Sequence, residues 1–110
     1  MNTKLLLLFI SIISFSSCIY PIAVFHGIVD SCNMKNTSTL VNDLKRDLGV
    51  HVECIEIGNG FMDTVVKPIQ SQVEEACEKI KSNPNFQEKF SILGISQGTL
   101  IGRYIIENFI

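Results

Sequence analysis

The chain has 110 residues, room for one domain at most. Its 46% hydrophobic and 18% charged content is ordinary for a globular protein once an apolar leader is set aside. A net charge of −2 leaves no basic stripe, so nucleic acid is excluded as an expected partner.

Residues 1–18 read as a signal peptide rather than as part of the fold. Lys4 precedes an apolar run over 5–15, and the small residues Ser16, Ser17 and Cys18 follow. That pattern places cleavage before Ile19 and leaves 19–110 as the mature chain. No second long apolar run exists, so no transmembrane span is expected there. Export into the secretory pathway implies an oxidising compartment. Cys32, Cys54 and Cys77 then remain, and an odd count leaves at least one without an intramolecular partner. Asn36-Thr37-Ser38 fits the N-glycosylation sequon in a polar stretch, which makes Asn36 the candidate acceptor.

Residues 21–25 read as a buried strand, with Pro21 tolerable at its start. The strand ends at His26-Gly27-Ile28-Val29-Asp30. Gly27 lets the backbone approach a substrate oxygen closely, so this loop is a candidate anion-binding wall whose donor is the Ile28 N–H. His26 is expected to satisfy the loop's own backbone groups. A helix is predicted over 37–48, capped by Thr37 or Ser38, with Leu40, Val41, Leu44 and Leu48 as its apolar stripe and Gly49 as its stop. Residues 50–57 alternate apolar and polar, the mark of a strand near a sheet edge; His51 and Glu53 belong to its wet face. Gly58-Asn59-Gly60 opens a loop through Lys67. Pro68 then fits the first turn of a helix whose stripe is Ile69, Val73, Ala76, Cys77 and Ile80, ending at Asn83-Pro84.

The stretch 90–99 organises the rest. Residues 90–95 suit a short buried strand, and Leu100, Ile101, Tyr104, Ile105 and Phe109 recur at helical spacing. Between them, Gly94-Ile95-Ser96-Gln97-Gly98 matches the G-x-S-x-G nucleophile elbow. The turn lifts the Ser96 hydroxyl out of the sheet, and side chains at Gly94 or Gly98 would collide with neighbouring elements. Gln97 offers the first free N–H of the following helix to a developing oxyanion. The order β-α-β-α-β-α predicts an α/β fold with a mostly parallel sheet and right-handed crossovers. The two histidines and the cysteines are scattered along the sequence, so no metal centre is expected.

Residues 21–32, Glu56-Ile57-Gly58, 71–77 and 94–98 together resemble the palmitoyl-protein thioesterases, lysosomal α/β-hydrolases. The resemblance runs over essentially the whole mature chain. It implies hydrolysis, without a cofactor, of fatty-acyl thioesters on protein cysteines. It also implies Ser96 as nucleophile, Ile28 and Gln97 as oxyanion donors, and a lysosomal or extracellular location. Two departures stand out: Val29 sits where the family usually has a second glycine, and the family's partner for Cys77 is absent. No Asp or His follows Ser96, although this fold orders its triad Ser, Asp, His. The expectation is therefore an N-terminal portion of an α/β-hydrolase domain, nearly inactive by itself. The alternative is a secreted, non-catalytic protein that binds acyl chains or keeps only a vestige of the site.

Overall fold

The computed structural model describes residues 20–109, so the expected leader and its cleavage site lie outside the described residues. Strands β1 (Ile22–Phe25), β2 (Val52–Ile55) and β3 (Ser91–Gly94) form a parallel sheet in the order β2-β1-β3. Phe25 pairs with Ile55 on one side and with Gly94 on the other. The connections run through α1 (Lys35–Leu48), the single turn α2 (Asp63–Val66), α3 (Ile69–Ser82) and a 3₁₀ turn (Pro84–Phe86); α4 (Gln97–Phe109) follows β3. This is a small α/β fold of the predicted order.

Burial explains the arrangement. Ala23, Val24 and Phe25 are fully buried, as befits a central parallel strand covered on both faces. Val24 packs with Val41 and Val52 beneath α1; Ala23 and Phe25 pack on the other face with Val73, Ala76, Ile80, Ile101 and Ile105 of α3 and α4. The alternating strand, β2, is the edge strand that its pattern predicts. A disulfide joins Cys32, ahead of α1, to Cys54 on β2, and Cys77 is free. Closing a 22-residue separation restricts the unfolded chain by about 3 kcal/mol.

Several local expectations shift. Helix α1 begins at Lys35, two residues before Thr37, because Thr37 is buried and spends its hydroxyl on Asp30 instead of on a cap. Gly49 ends α1 as predicted, with φ 65° and its N–H on the Lys45 carbonyl. Pro68 stands just ahead of α3 rather than inside it. Leu48, Ile69 and Leu100, assigned to apolar stripes, are exposed, since they lie at helix ends or on the flank turned from the sheet. The loop expected from Gly58 through Lys67 contains α2.

The path of the chain fixes where a ligand fits. From β1 the chain moves outward to β2, then returns to the other side of β1 as β3. The switch point of the sheet therefore lies between the carboxyl ends of β1 and β3, the place where open α/β sheets leave a crevice. Both candidate site loops leave the sheet there.

Candidate active site

Ser96 lies two residues beyond the end of β3 and is exposed, with φ 54° in the left-handed region that side chains avoid. The surrounding glycines enforce this locally. A Cβ on Gly94 would lie 2.5 Å from Thr99 Cα, and one on Gly98 would lie 2.7 Å from the His26 carbonyl oxygen and collide with the Phe25 carbonyl. The Gly98 N–H donates to the Ile95 carbonyl and the Thr99 N–H to the Ser96 carbonyl, closing the turn into α4.

Across the switch point, Gly27 is buried against the elbow. A Cβ there would sit 3.1 Å from both Ser96 Cβ and the Ile95 carbonyl oxygen. Asp30 shapes this loop: its carboxylate accepts the Gly27 N–H at 3.1 Å, the Ser31 N–H at 2.7 Å and the Thr37 hydroxyl at 2.8 Å. Val29 has φ 53°, and its N–H donates to Thr64 Oγ1 at 2.7 Å. Among the described residues, the backbone N–H groups of Ile28 and Gln97 donate to no protein acceptor. A cleft of about 520 Å³ opens between the loop, the start of α1 and Ser96, lined in part by Ile28, Val29, Met34 and Leu40.

His26 serves the loop, as expected. Its ring is buried; Nε2 accepts the Ile57 N–H at 3.0 Å, which leaves the proton on Nδ1, 3.1 Å from the Gly27 carbonyl. His51 is exposed and paired with Glu53 at 2.8 Å. Neither histidine bonds Ser96, whose Oγ makes no hydrogen bond among the described residues. Scatter in the sequence is not scatter in space: His26, Cys32 and Glu56 bring donor atoms within 4.8 Å of one another. Cys32 is committed to its disulfide there, and the His26 Nε2 lone pair to Ile57. Asn36 is exposed, but in the first turn of α1 rather than in a loop.

Sequence reading missed the layer behind the site. Thr64 of α2 is buried, and its carbonyl accepts side-chain N–H bonds from Gln97 and Gln72, each at 3.2 Å. The Gln97 side-chain NH₂ also donates to Gln72 Oε1 at 2.8 Å. Nearby, partial burial of Glu75 pushes its pKa up, but the Gly58 N–H, Lys79 and Lys67 outweigh this and hold it at about 2, against 4.5.

A strained serine on a strand-to-helix turn, facing a glycine loop at the switch point of a parallel sheet, defines the elbow region of an α/β-hydrolase. Comparison with known proteins is more specific. The family model for palmitoyl protein thioesterase matches residues 21–109, and the chain belongs to that family. Over 108 residues it is 29% identical to Palmitoyl-protein thioesterase 3 of Dictyostelium discoideum, a match covering 97% of this chain and 37% of that protein. The chain thus spans well under half the length of this curated relative. Among the described residues, no helix is long and apolar enough to cross a membrane.

Proposed function

We propose that Ser96 is the nucleophile of a thioesterase that removes fatty acyl groups from protein cysteines. The observation that carries this is the φ of 54° at Ser96, held by Gly94 and Gly98 beside the Gly27 loop. Strain of this kind persists where the surroundings over-determine it, typically at a working site. In this reading Ser96 Oγ attacks the thioester carbonyl, and the oxyanion accepts hydrogen bonds from the Ile28 and Gln97 N–H groups. The tetrahedral intermediate collapses, the C–S bond breaks and the cysteine leaves as thiolate, taking a proton to become the thiol. Water then cleaves the acyl-serine. Ile28 and Val29 on the loop, and Phe61, Met62, Val65 and Val66 around Thr64, which bonds to both site loops, expose apolar side chains that suit a fatty acyl chain.

The proton of the Ser96 hydroxyl needs an acceptor, and both histidines of the sequence are engaged elsewhere. By itself this stretch is therefore expected to turn over poorly. The same engagement favours the second reading, a non-catalytic acyl-binding protein. The disulfide between Cys32 and Cys54 supports residence in the secretory pathway, with the lysosome or the extracellular space as destination. Removal of residues 1–18 and a glycan on Asn36 belong to the same proposal.

Labelling the purified chain with a fluorophosphonate probe, with Ser96→Ala as control, separates the two readings. Labelling that vanishes in Ser96→Ala supports the nucleophile. A folded chain that binds a fluorescent fatty acid yet takes no label supports the binding module.

A further inference from the structure

The two donors assigned to the oxyanion lie on separate loops, which meet where Gly27 packs against Ser96, and side-chain hydrogen bonds that tie the two together come from outside both. Thr64 is the residue that touches both. Its hydroxyl accepts the N–H of Val29, at 2.7 Å, and donates to the Phe61 carbonyl at 2.5 Å. Its carbonyl accepts the side-chain N–H of Gln97 at 3.2 Å. Gln72, also buried, braces the same carbonyl at 3.2 Å and the Lys67 carbonyl at 2.9 Å, and receives Gln97 at 2.8 Å. No buried side-chain polar atom among the described residues lacks a partner, so this network is saturated. A saturated buried network has one low-energy arrangement, whereas a partly satisfied one has several.

Val29 supplies an independent reason to expect a clamp. A β-branched residue at φ 53° relaxes toward the ordinary β region unless its surroundings hold it. The Thr64 hydroxyl on the Val29 N–H is that hold. It pins the peptide plane immediately after Ile28, while the Thr64 carbonyl, through the side chain, pins the residue whose backbone N–H is the other donor.

We propose that Thr64 is a positioning residue: it couples the Gly27–Val29 loop to the elbow and so sets the Ile28 and Gln97 N–H groups relative to one another. The oxyanion role rests on the function proposed above; the coupling itself does not. The test therefore reads both. Amide hydrogen exchange at Ile28 and Val29 and the Gln97 side-chain NH₂ resonances are followed by NMR on the ¹⁵N-labelled full chain, alongside the fluorophosphonate labelling rate and thermal unfolding. Thr64→Val keeps the shape and removes the hydroxyl; Thr64→Ser keeps the hydroxyl. Thr64→Val removes both hydrogen bonds of the hydroxyl, and loss of the one to the Val29 N–H is expected to speed Val29 exchange about tenfold and slow labelling by a similar factor. The Gln97 NH₂ signals should shift, and Thr64→Ser should restore all three.

A lowered melting temperature with unchanged Val29 exchange and Gln97 signals would mean that Thr64 only supports α2, and would overturn the proposal. So would equal losses in Thr64→Val and Thr64→Ser. If the parent chain takes no label but the NMR changes appear as described, the coupling stands and the hydrolase reading fails. Gln97→Leu reads the link from the other end, and serves if Thr64→Val does not fold: faster Val29 exchange supports the coupling, and unchanged exchange sinks it.

Discussion

Ser96 and Val29 hold almost the same uncommon backbone conformation, φ 54° and 53°, on facing loops of one crevice. They are held there in opposite ways. At Ser96 the constraint is local: Gly94 and Gly98, each two residues away, pack tightly against Thr99 and against the carbonyls of Phe25 and His26, so that side chains there would collide. At Val29 the constraint is remote, a hydrogen bond to Thr64 across a separation of 35 residues. A locally enforced strain is written in consecutive letters, and a remotely enforced one is not. The difference also predicts how each fails: the elbow through steric collision, the loop through loss of polar contacts.

The largest effect should come from the elbow. Gly98→Ala directs a methyl group into the carbonyls of Phe25 and His26, backbone atoms of the central strand and its loop that cannot move aside cheaply. A loss of about 3 kcal/mol is expected by urea titration, at the upper end for overpacking. Ser96 labelling should fall even at urea concentrations where the variant stays folded. A stability within about 0.5 kcal/mol of the parent would mean that the close approach of α4 to β1 is not rigid.

The same contrast marks what the sequence made legible. The elbow, the helix stop at Gly49 and the edge position of β2 follow from short patterns: a glycine pair around a serine, a lone glycine after a stripe, a run of mixed apolar and polar residues. Thr37 misled because Ser and Thr near a helix start usually cap it, whereas here the Asp30 carboxylate takes the hydroxyl. The pairing of Cys32 with Cys54 depends on β2 lying beside β1, and the roles of Thr64 and Gln72 on α2 folding back beneath both loops. None of these is a property of neighbouring residues. Helix α2 spans only four residues, too short to carry a periodic signal.

Acid should act on the remotely held side first. Glu75 takes the Gly58 N–H at 2.8 Å and so anchors the loop leading into α2. Its folded pKa, about 2, lies below the ordinary 4.5, so the unfolded chain binds the proton first. The stabilisation is therefore complete above about pH 4.5 and is lost as pH falls toward 2. Lys67 and Lys79 stand partly in solvent, and screening brings the expected loss to the order of 2 kcal/mol. Urea midpoints measured from pH 6 to 2 should show this slope, and Glu75→Gln should flatten it. An equal slope in the variant would assign the acid sensitivity to other carboxylates.

The smallest effect is the most discriminating. Val29→Gly removes the left-handed strain, worth about 1–2 kcal/mol for a side-chain-bearing residue, at an entropic cost of roughly 0.5–1 kcal/mol. Val29 is half exposed, so little burial is lost, and a net gain of about 0.5–1 kcal/mol in urea is expected. A loss instead would mean that the valine side chain packs more usefully than its exposure suggests. The gain alone does not say what the strain is for; the Thr64→Val substitution made in both backgrounds does. Where Val29 is present, the Thr64 hydroxyl opposes a backbone that would relax, so its removal should both destabilise the loop and slow Ser96 labelling. In the Val29→Gly background the loop has no such tendency, and the two substitutions should be coupled rather than additive. Additivity would mean that the strain at Val29 and the clamp at Thr64 are unrelated, and that the likeness between Val29 and Ser96 ends at the dihedral angle.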